Sequence, residues 1–123
     1  MTAATPTAPA AVTEPAWLGQ REIPDGWVLQ LQVPADLLYF RGHFPDFPIL
    51  PGVAQLHWAV HQAQQRFGYT GAPSALQAVK FHQVVEPEQR LELALTHNPA
   101  RRSVSYRYES ERGLHASGRL SWA

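Results

Sequence analysis

The chain is 123 residues long, 45% hydrophobic and 16% charged, which is typical of one small globular domain with a modest core that benefits from oligomerisation. Ten acidic and ten basic residues leave no net charge, so neither a nucleic acid nor an anionic membrane surface is indicated as a partner, and no apolar run approaches the length of a membrane span. The absence of cysteine excludes a disulfide, a thiolate nucleophile and a cysteine-ligated metal.

Residues 1–16 are rich in Ala, Thr and Pro and predict a disordered tail in front of a single domain over residues 17–123. The tail has neither a basic segment nor a continuous apolar stretch, so it does not resemble a signal peptide. The cytoplasm is therefore the predicted location.

The first predicted strand covers residues 27–33, where Trp27, Leu29, Leu31 and Val33 occupy alternate positions. A period of two residues indicates that one face of this strand is buried. The next residue is a proline, which ends the strand, and a short apolar stretch then leads into a loop.

The loop combines a histidine, three prolines and a glycine, in the order His43, Pro45, Pro48, Pro51 and Gly52. Proline fixes φ at about −65° and has no N–H, so the loop is stiff and is neither helix nor central strand. Proline suits the start of a helix, and glycine permits close approach to the backbone. The sequence therefore predicts an imidazole held near a helix N-terminus, where free N–H groups favour negative charge. A base beside an oxyanion site suits chemistry next to a carbonyl.

The helix itself is predicted over residues 52–67, because apolar residues recur there at three- and four-residue steps. Glycines at positions 68 and 71 end it. The predicted apolar stripe consists of Val53, Leu56, Val60, Ala63 and Phe67.

Alternating apolar residues predict several strands after the helix. The candidates are residues 74–85, 91–95, 104–108 and 114–122, separated by Glu-Pro at 86–87, a turn at Asn-Pro 98–99 and a hairpin at Gly113. One helix followed by a run of antiparallel strands is an α+β pattern. A single helix wrapped by one curved sheet fits it.

The loop and the helix start also resemble a family motif. The (3R)-hydroxyacyl-acyl-carrier-protein dehydratases of the hotdog fold carry the block G-H-F-P-x-x-P-[IV]-x-P-G-V, and residues 42–53 match it at nine positions of fixed spacing. The segment ILPGVAQLHWA, residues 49–59, is most similar to the dehydratase-like branch found in aryl polyene gene clusters. A weaker similarity covers residues 76–93, where Glu88 and Gln89 replace the family's usual Gly-Asp.

The resemblance implies a hotdog domain, in which one central helix is wrapped by a curved antiparallel sheet, working as a homodimer or a multiple of it. It implies loss of water from a 3-hydroxyacyl thioester on an acyl carrier protein, giving the trans-2-enoyl thioester in fatty-acid-like or polyene biosynthesis. Phosphopantetheine arrives with the carrier, and no metal or redox cofactor is expected.

Three residues are predicted to carry this reaction. A neutral imidazole at His43 can take the weakly acidic C2 proton. The backbone N–H of Gly52 is the predicted donor to the oxygen on which charge develops. The resemblance places the general acid, usually Glu or Asp, fourteen residues after the histidine, and in this chain that position holds His57.

Two interpretations of His57 remain open in the sequence. Either its imidazolium donates a proton to the departing hydroxyl, with one imidazole neutral and the other charged, or the acid is lost and dehydration is slow or absent. In the second case the chain binds an acyl thioester, hydrolyses one as a thioesterase, or serves as a non-catalytic subunit beside an active partner. Asp46 is a candidate substitute carboxylate.

Further residues are candidates for contacts. The predicted substrate contacts are Phe44, Pro51, Val53 and Trp58. Trp58 suits the hydrophobic core or a dimer interface equally well. His57 and His61 are four residues apart, a spacing that can hold zinc, but no third ligand is obvious. A cluster of arginines is a candidate docking surface for the acidic carrier protein, or is simply solvated: Arg101, Arg102 and Arg107.

Overall fold

One long helix packs against a six-stranded antiparallel sheet in the computed structural model, which describes residues 12–40 and 49–123. The order across the sheet is β1-β2-β4-β5-β6-β3, so β1 and β3 form its two edges. Short 3₁₀ turns lie at Leu38–Phe40 and Pro99–Arg101. The helix is α1 (Gly52–Phe67), and the strands are β1 (Ala16–Ile23), β2 (Gly26–Gln32), β3 (Ala75–Phe81), β4 (Arg90–Asn98), β5 (Ser103–Ser110) and β6 (Gly113–Ser121).

The α+β arrangement predicted from the sequence is confirmed, because one helix is wrapped by a curved antiparallel sheet. The strands with clear alternation, β2, β4, β5 and β6, occur where they were predicted, and β4 pairs with both β2 and β5. Their alternate side chains form the core, with Leu29, Leu31, Leu93, Leu95 and Tyr106 each at most 1% exposed. The two-residue period of apolar residues in the sequence therefore correctly indicated a sheet with one buried face.

The two edge strands are where the sequence prediction was wrong. Strand β1 was not predicted, and its side chains are almost all exposed, so it carries no buried period to recognise. The strand predicted over residues 74–85 is shorter, because β3 ends at Phe81. Beyond it the N–H groups of His82 and Gln83 both donate to the carbonyl of His115, so regular pairing stops.

The helix covers the residues predicted for it, and the glycine stop is confirmed, but its buried face differs from the predicted stripe. Ala54, Trp58, Ala59 and Ala63 are fully buried, because alanine lets the helix approach the sheet closely around one large indole. Val53, a member of the predicted stripe, is 71% exposed. Neither this helix nor any other within residues 12–40 and 49–123 is long and apolar enough to cross a membrane.

The end of the predicted tail contacts the domain. Residues 1–11 lie outside the described part of the chain, but the carbonyl of Val12 accepts a hydrogen bond from the N–H of Leu38 at 2.7 Å. The indole N–H of Trp58 donates to the carbonyl of Thr13 at 2.9 Å, because a buried indole needs an acceptor. Contacts with the domain therefore start before the predicted boundary at residue 17.

Tyr108 ties the helix to the sheet. It is fully buried in β5, and its hydroxyl donates to the backbone carbonyl of Gln55 at 2.5 Å. Burial raises the pKa of the Tyr108 hydroxyl well above its ordinary value, and the neighbouring charges of Tyr106 and Glu14 raise it further. The hydroxyl therefore stays protonated, and keeps donating, at neutral and moderately alkaline pH.

We expect Tyr108→Phe to lower the free energy of unfolding at neutral pH by about 0.5–1.5 kcal/mol, because it removes this hydrogen bond. The difference from wild type should shrink above about pH 10. Above that pH, Tyr108 ionises in the unfolded wild type but stays protonated in the folded wild type. Because folding raises the pKa of Tyr108, the wild type loses stability as the pH rises. Urea unfolding at both pH values measures the effect, with Tyr39→Phe, outside the sheet, as the control. A difference that is equal at both pH values would contradict this role.

Candidate active site

The first turn of α1 carries backbone donors that have no acceptor inside the helix. Pro51 occupies the N-cap position with φ −59° and ψ 145°, and its side chain makes no capping hydrogen bond. The N–H groups of Ala54 and Gln55 donate to the Pro51 carbonyl at 3.1 and 3.3 Å. The N–H groups of Gly52 and Val53 have no acceptor inside the helix, because they belong to its first turn. Gly52 therefore stands where the sequence predicted a donor, at the positive end of the helix dipole.

An aromatic ring lies directly over Gly52, where there is no space for a side chain. A Cβ built on Gly52 would come within 2.5 Å of Cζ and 2.6 Å of Cε1 of Phe81. Phe81 is the last residue of β3, so this contact brings an edge of the sheet to the helix start. The Phe81 side chain is nevertheless 56% exposed, which leaves the outer side of the contact open.

The helix start and the end of β3 border a cavity of about 260 Å³. It lies slightly below the range of about 300–1,000 Å³ that is usual for small-molecule sites. A larger polar groove of about 480 Å³, lined by residues 86–90 and 110–112, holds none of the predicted site residues. Because the smaller cavity holds Gly52, it is the candidate active site. Its lining consists of Ile49, Leu50, Gly52, Gln55, Phe81, His82, Gln83 and Val84.

This cavity contains a buried amide that the sequence prediction did not include. Gln55 is only 3% exposed, and its Nε2 donates to the carbonyl oxygen of Leu50 at 3.4 Å. No described residue donates a hydrogen bond to its Oε1. In the sequence, Gln55 directly follows Ala54, a small apolar residue of the buried helix face. This position could have indicated a buried polar side chain.

Val53 and His57 lie one helical turn apart, on the open side of the helix. Both side chains are exposed in the single chain. The predicted acid therefore faces solvent rather than a closed cleft. A water-excluding site around His57 would need a second chain.

The predicted base and its loop lie outside the described residues. This applies to His43 and Phe44, and also to the substitute carboxylate Asp46, so their roles stay predictions. Ile49 is the first described residue after the loop, and it lines the cavity. The described chain therefore resumes in the lining of the candidate site.

Trp58, a predicted substrate contact, is fully buried and belongs to the hydrophobic core. The structure therefore places Trp58 in the core, which was one of the positions that the sequence had left open. Its contact with substrate stays a prediction, as do those of Pro51 and Val53, which both lie at the helix start.

The remaining histidines have separate surroundings. His115 is buried, with Nδ1 3.0 Å from the Val84 carbonyl and Nε2 2.6 Å from the Ser110 hydroxyl. His97 is hydrogen-bonded to the Tyr69 hydroxyl at 2.7 Å. Within the part of the chain that the structure describes, no group of three His, Cys, Asp or Glu side chains is placed to hold a metal ion. Metal-free chemistry remains an expectation.

The three arginines predicted to meet a carrier protein differ in their surroundings. Arg107 pairs with Glu109 at 2.9 Å. Arg102 donates to the carbonyl of the last residue at 3.1 Å and lies 5.2 Å from the ring centroid of Tyr69. Arg101 is exposed. Two of the three side chains are therefore engaged within the chain itself.

A single helix wrapped by a curved sheet, with the helix start opening into a cavity, is the architecture of a hotdog-fold dehydratase. A family model named ApeI-like, the ApeI dehydratase, matches residues 20–119. Because this match spans most of the chain, the protein belongs to the ApeI-like dehydratase family. The dehydratase activity predicted from the motif is thereby confirmed, while the role of His57 stays a prediction.

Solved structures agree with this assignment. The dehydratase heterocomplex ApeI:P from Xenorhabdus doucetiae matches with a TM-score of 0.81 and 28% identity, covering 88% of this chain and 96% of that chain. An uncharacterized protein from Erwinia carotovora subsp. atroseptica matches with a TM-score of 0.72 and 29% identity, covering 88% and 94%. The dehydratase domain of the polyketide PpsC from Mycobacterium tuberculosis, with a TM-score of 0.66 and 24% identity, covers 91% of this chain and 45% of that chain and shares the fold. None of the curated proteins matches the sequence.

Proposed function

We propose that the protein dehydrates a 3-hydroxyacyl thioester on an acyl carrier protein to the trans-2-enoyl thioester, in polyene or fatty-acid-like biosynthesis. The observation that carries the proposal is the placement of Gly52, whose N–H has no acceptor inside the helix and lies at the helix start beside the cavity. Removal of a proton from C2 develops charge on the thioester oxygen, and a fixed N–H donor stabilises that charge. The similarity of residues 49–59 to the aryl polyene branch supports an aryl polyene pathway.

In the proposed reaction, His43 removes the C2 proton, and negative charge moves onto the thioester oxygen, which accepts a hydrogen bond from the N–H of Gly52. His57 donates a proton to the 3-hydroxyl, which leaves as water from the same face while the C2–C3 double bond forms. One proton has then moved to His43 and one has left His57. Exchange with solvent restores both side chains.

These steps need no metal or redox cofactor, because proton transfer and hydrogen bonding carry them. Phosphopantetheine arrives as part of the acyl carrier protein. A cytoplasmic location and docking of the carrier at Arg101, Arg102 and Arg107 stay predictions. Arg101 is the first of the three to substitute in a docking test, because its side chain is the one with no ion pair, hydrogen bond or ring contact to a described residue, unlike those of Arg102 and Arg107.

We infer that the working unit is a dimer joined at the β3 edge. Leu76, Val79 and Phe81 of this edge strand are 48%, 37% and 56% exposed. An exposed apolar edge strand is a site of association. Phe81 also borders the cavity, so a second chain at this edge would lie beside the candidate active site. The exposed His57 supports the same view, since an acid on an open face needs a second chain to exclude water.

Sedimentation at micromolar concentration should show a dimer or a multiple of it. Leu76→Glu should shift the protein toward a monomer, because the interface would bury an unpaired charge. Leu18→Glu on the opposite edge strand is the matched control, since Leu18 is 49% exposed, against 48% for Leu76, and should leave the assembly intact. A clean wild-type monomer, or equal effects of the two substitutions, would exclude a homodimer at β3.

The ApeI:P structure favours a second candidate, because it is a dehydratase heterocomplex. In this alternative the chain is a hotdog subunit that binds acyl thioesters, has little activity alone and pairs with a different, active subunit. The exposed β3 edge suits either kind of pairing. The purified chain distinguishes them, since a heterocomplex subunit should be inactive until its partner is added.

Mass spectrometry of carrier-bound 3-hydroxyacyl chains incubated with the purified chain tests the proposal. The expected result is loss of one water from the acyl chain, which remains attached to the carrier. Release of the free acid would show a thioesterase instead. An unchanged substrate that loses water only after a second hotdog subunit is added would support the heterocomplex.

A further inference from the structure

We propose that Gln55 is a specificity residue whose side-chain oxygen accepts a hydrogen bond from the 3-hydroxyl of the substrate. The inference rests on the proposed function, because it assigns a role within the same cavity. It concerns a side chain that the proton-transfer steps do not use.

The orientation of the Gln55 amide follows from its surroundings. The carbonyl oxygen of Leu50 can only accept, so the atom 3.4 Å from it is the NH₂ group. Oε1 then lies on the other side of the amide, buried, and no described residue donates to it. Less than 1 Å² of this oxygen is exposed, so water does not satisfy it in the free protein, and the amide has to rotate toward the cavity to meet a substrate hydroxyl. A buried acceptor without a donor destabilises the free protein, and a ligand that carries a donor would remove this cost.

The backbone of Gln55 is fixed from two sides. Its N–H donates to the Pro51 carbonyl at 3.3 Å, and its own carbonyl accepts from the Tyr108 hydroxyl at 2.5 Å. Gln55 therefore belongs to an anchored turn of the helix, and it is one of the residues that line the cavity together with Gly52. Residues three apart on a helix share a face and lie about 5–6 Å apart between Cβ atoms.

The 3-hydroxyl is the group of the substrate that fits this acceptor. The thioester carbonyl can only accept, so it pairs with the N–H of Gly52. The 3-hydroxyl is a donor two carbons away, and Gln55 lies about one helical turn beyond Gly52 in the lining of the same cavity. Gln55 would hold the C3–O bond in place before it breaks. Once water has left, the oxygen of Gln55 loses its partner, so the enoyl product should bind more weakly than the substrate.

Gln62 provides a matched control in the same helix. It is also buried, at 7% exposed, but its Oε1 accepts a hydrogen bond from Nε of Arg66 at 3.1 Å. It does not line the cavity beside Gly52. Replacing Gln62 changes a buried glutamine without removing the unpaired acceptor.

Calorimetric binding of 3-hydroxyacyl-pantetheine and of the matching saturated acyl-pantetheine tests the inference, in a His43→Ala background that prevents turnover. The hydroxy compound should bind about fivefold to a hundredfold more tightly. Gln55→Met has a similar volume and no amide oxygen, so it should abolish this preference and retain affinity for the saturated compound. Gln55→Glu retains an acceptor oxygen and should retain the preference. Gln62→Met should change neither affinity.

An unchanged preference in Gln55→Met would overturn the inference. An equal loss of affinity for both compounds in Gln55→Met would also overturn it. The group that donates to Gln55 would then lie on the pantetheine arm or in residues 41–48. If neither compound binds the parent protein, the proposed function itself fails and the inference falls with it. A thermal melt of each variant shows that the protein is folded, so that an equal loss of affinity is not caused by misfolding.

Discussion

His43→Ala should abolish dehydration and leave the fold intact. If the imidazole takes the C2 proton, its removal costs general-base catalysis, about 10²–10⁴-fold in rate. The core cluster among the described residues comes mainly from the strands and α1, so the melting temperature should not change. Rates measured by mass spectrometry on carrier-bound substrate, together with thermal melting, give both results. Wild-type-like turnover at an unchanged melting temperature would contradict the assignment.

Exchange of the C2 proton with deuterated solvent separates a base from a binding residue. Exchange requires the base and the donor at Gly52, whereas dehydration also requires the acid. Exchange and dehydration should both be lost in His43→Ala at every substrate concentration. A residue that only bound the substrate would instead raise KM, and exchange would recover at saturation.

The central strands and the helix were predictable because burial imposes a period on them. Strands β2, β4 and β5 place every second side chain in the core, and the positions of Leu29, Leu93 and Tyr106 show that alternation in the sequence itself. Strand β1 lies at an edge with its side chains in solvent, so neither face constrains its residues. The length of β3 depends on a residue that is distant in sequence, because the carbonyl of His115 accepts hydrogen bonds from both N–H groups that follow the strand, those of His82 and Gln83.

The candidate site was predictable as far as its motif extends. The helix start at Gly52 was found because proline and glycine act locally on the backbone. The cavity was not, because it forms where Phe81 crosses over that glycine from the far edge of the sheet. The unpaired oxygen of Gln55 was missed for a related reason, since the lack of a donor is a property of the folded surroundings rather than of the sequence.

His57→Ala should lower the rate of dehydration by about 10²–10⁴-fold if the imidazole supplies the proton to the departing hydroxyl. That loss corresponds to about 3–5 kcal/mol of activation free energy. Exchange of the C2 proton should continue, because the base and the donor remain. The fold should tolerate the change, since His57 is exposed in the single chain. His61→Ala, one turn further along the helix, is the control, because a shared zinc site would make both substitutions equally harmful.

The pH dependence of the rate and a carboxylate at position 57 distinguish the two interpretations of this histidine. A dehydratase that needs His43 neutral and His57 protonated should have a bell-shaped profile, with limbs that belong to the coupled pair. His57→Ala should lose one limb together with most of the rate. His57→Glu should retain activity, because it restores the acid that the family usually has. If His57→Ala behaves like wild type, this histidine transfers no proton. If His57→Glu creates strong activity where wild type had almost none, the natural chain has lost its acid, and its role is to bind acyl thioesters beside an active partner subunit.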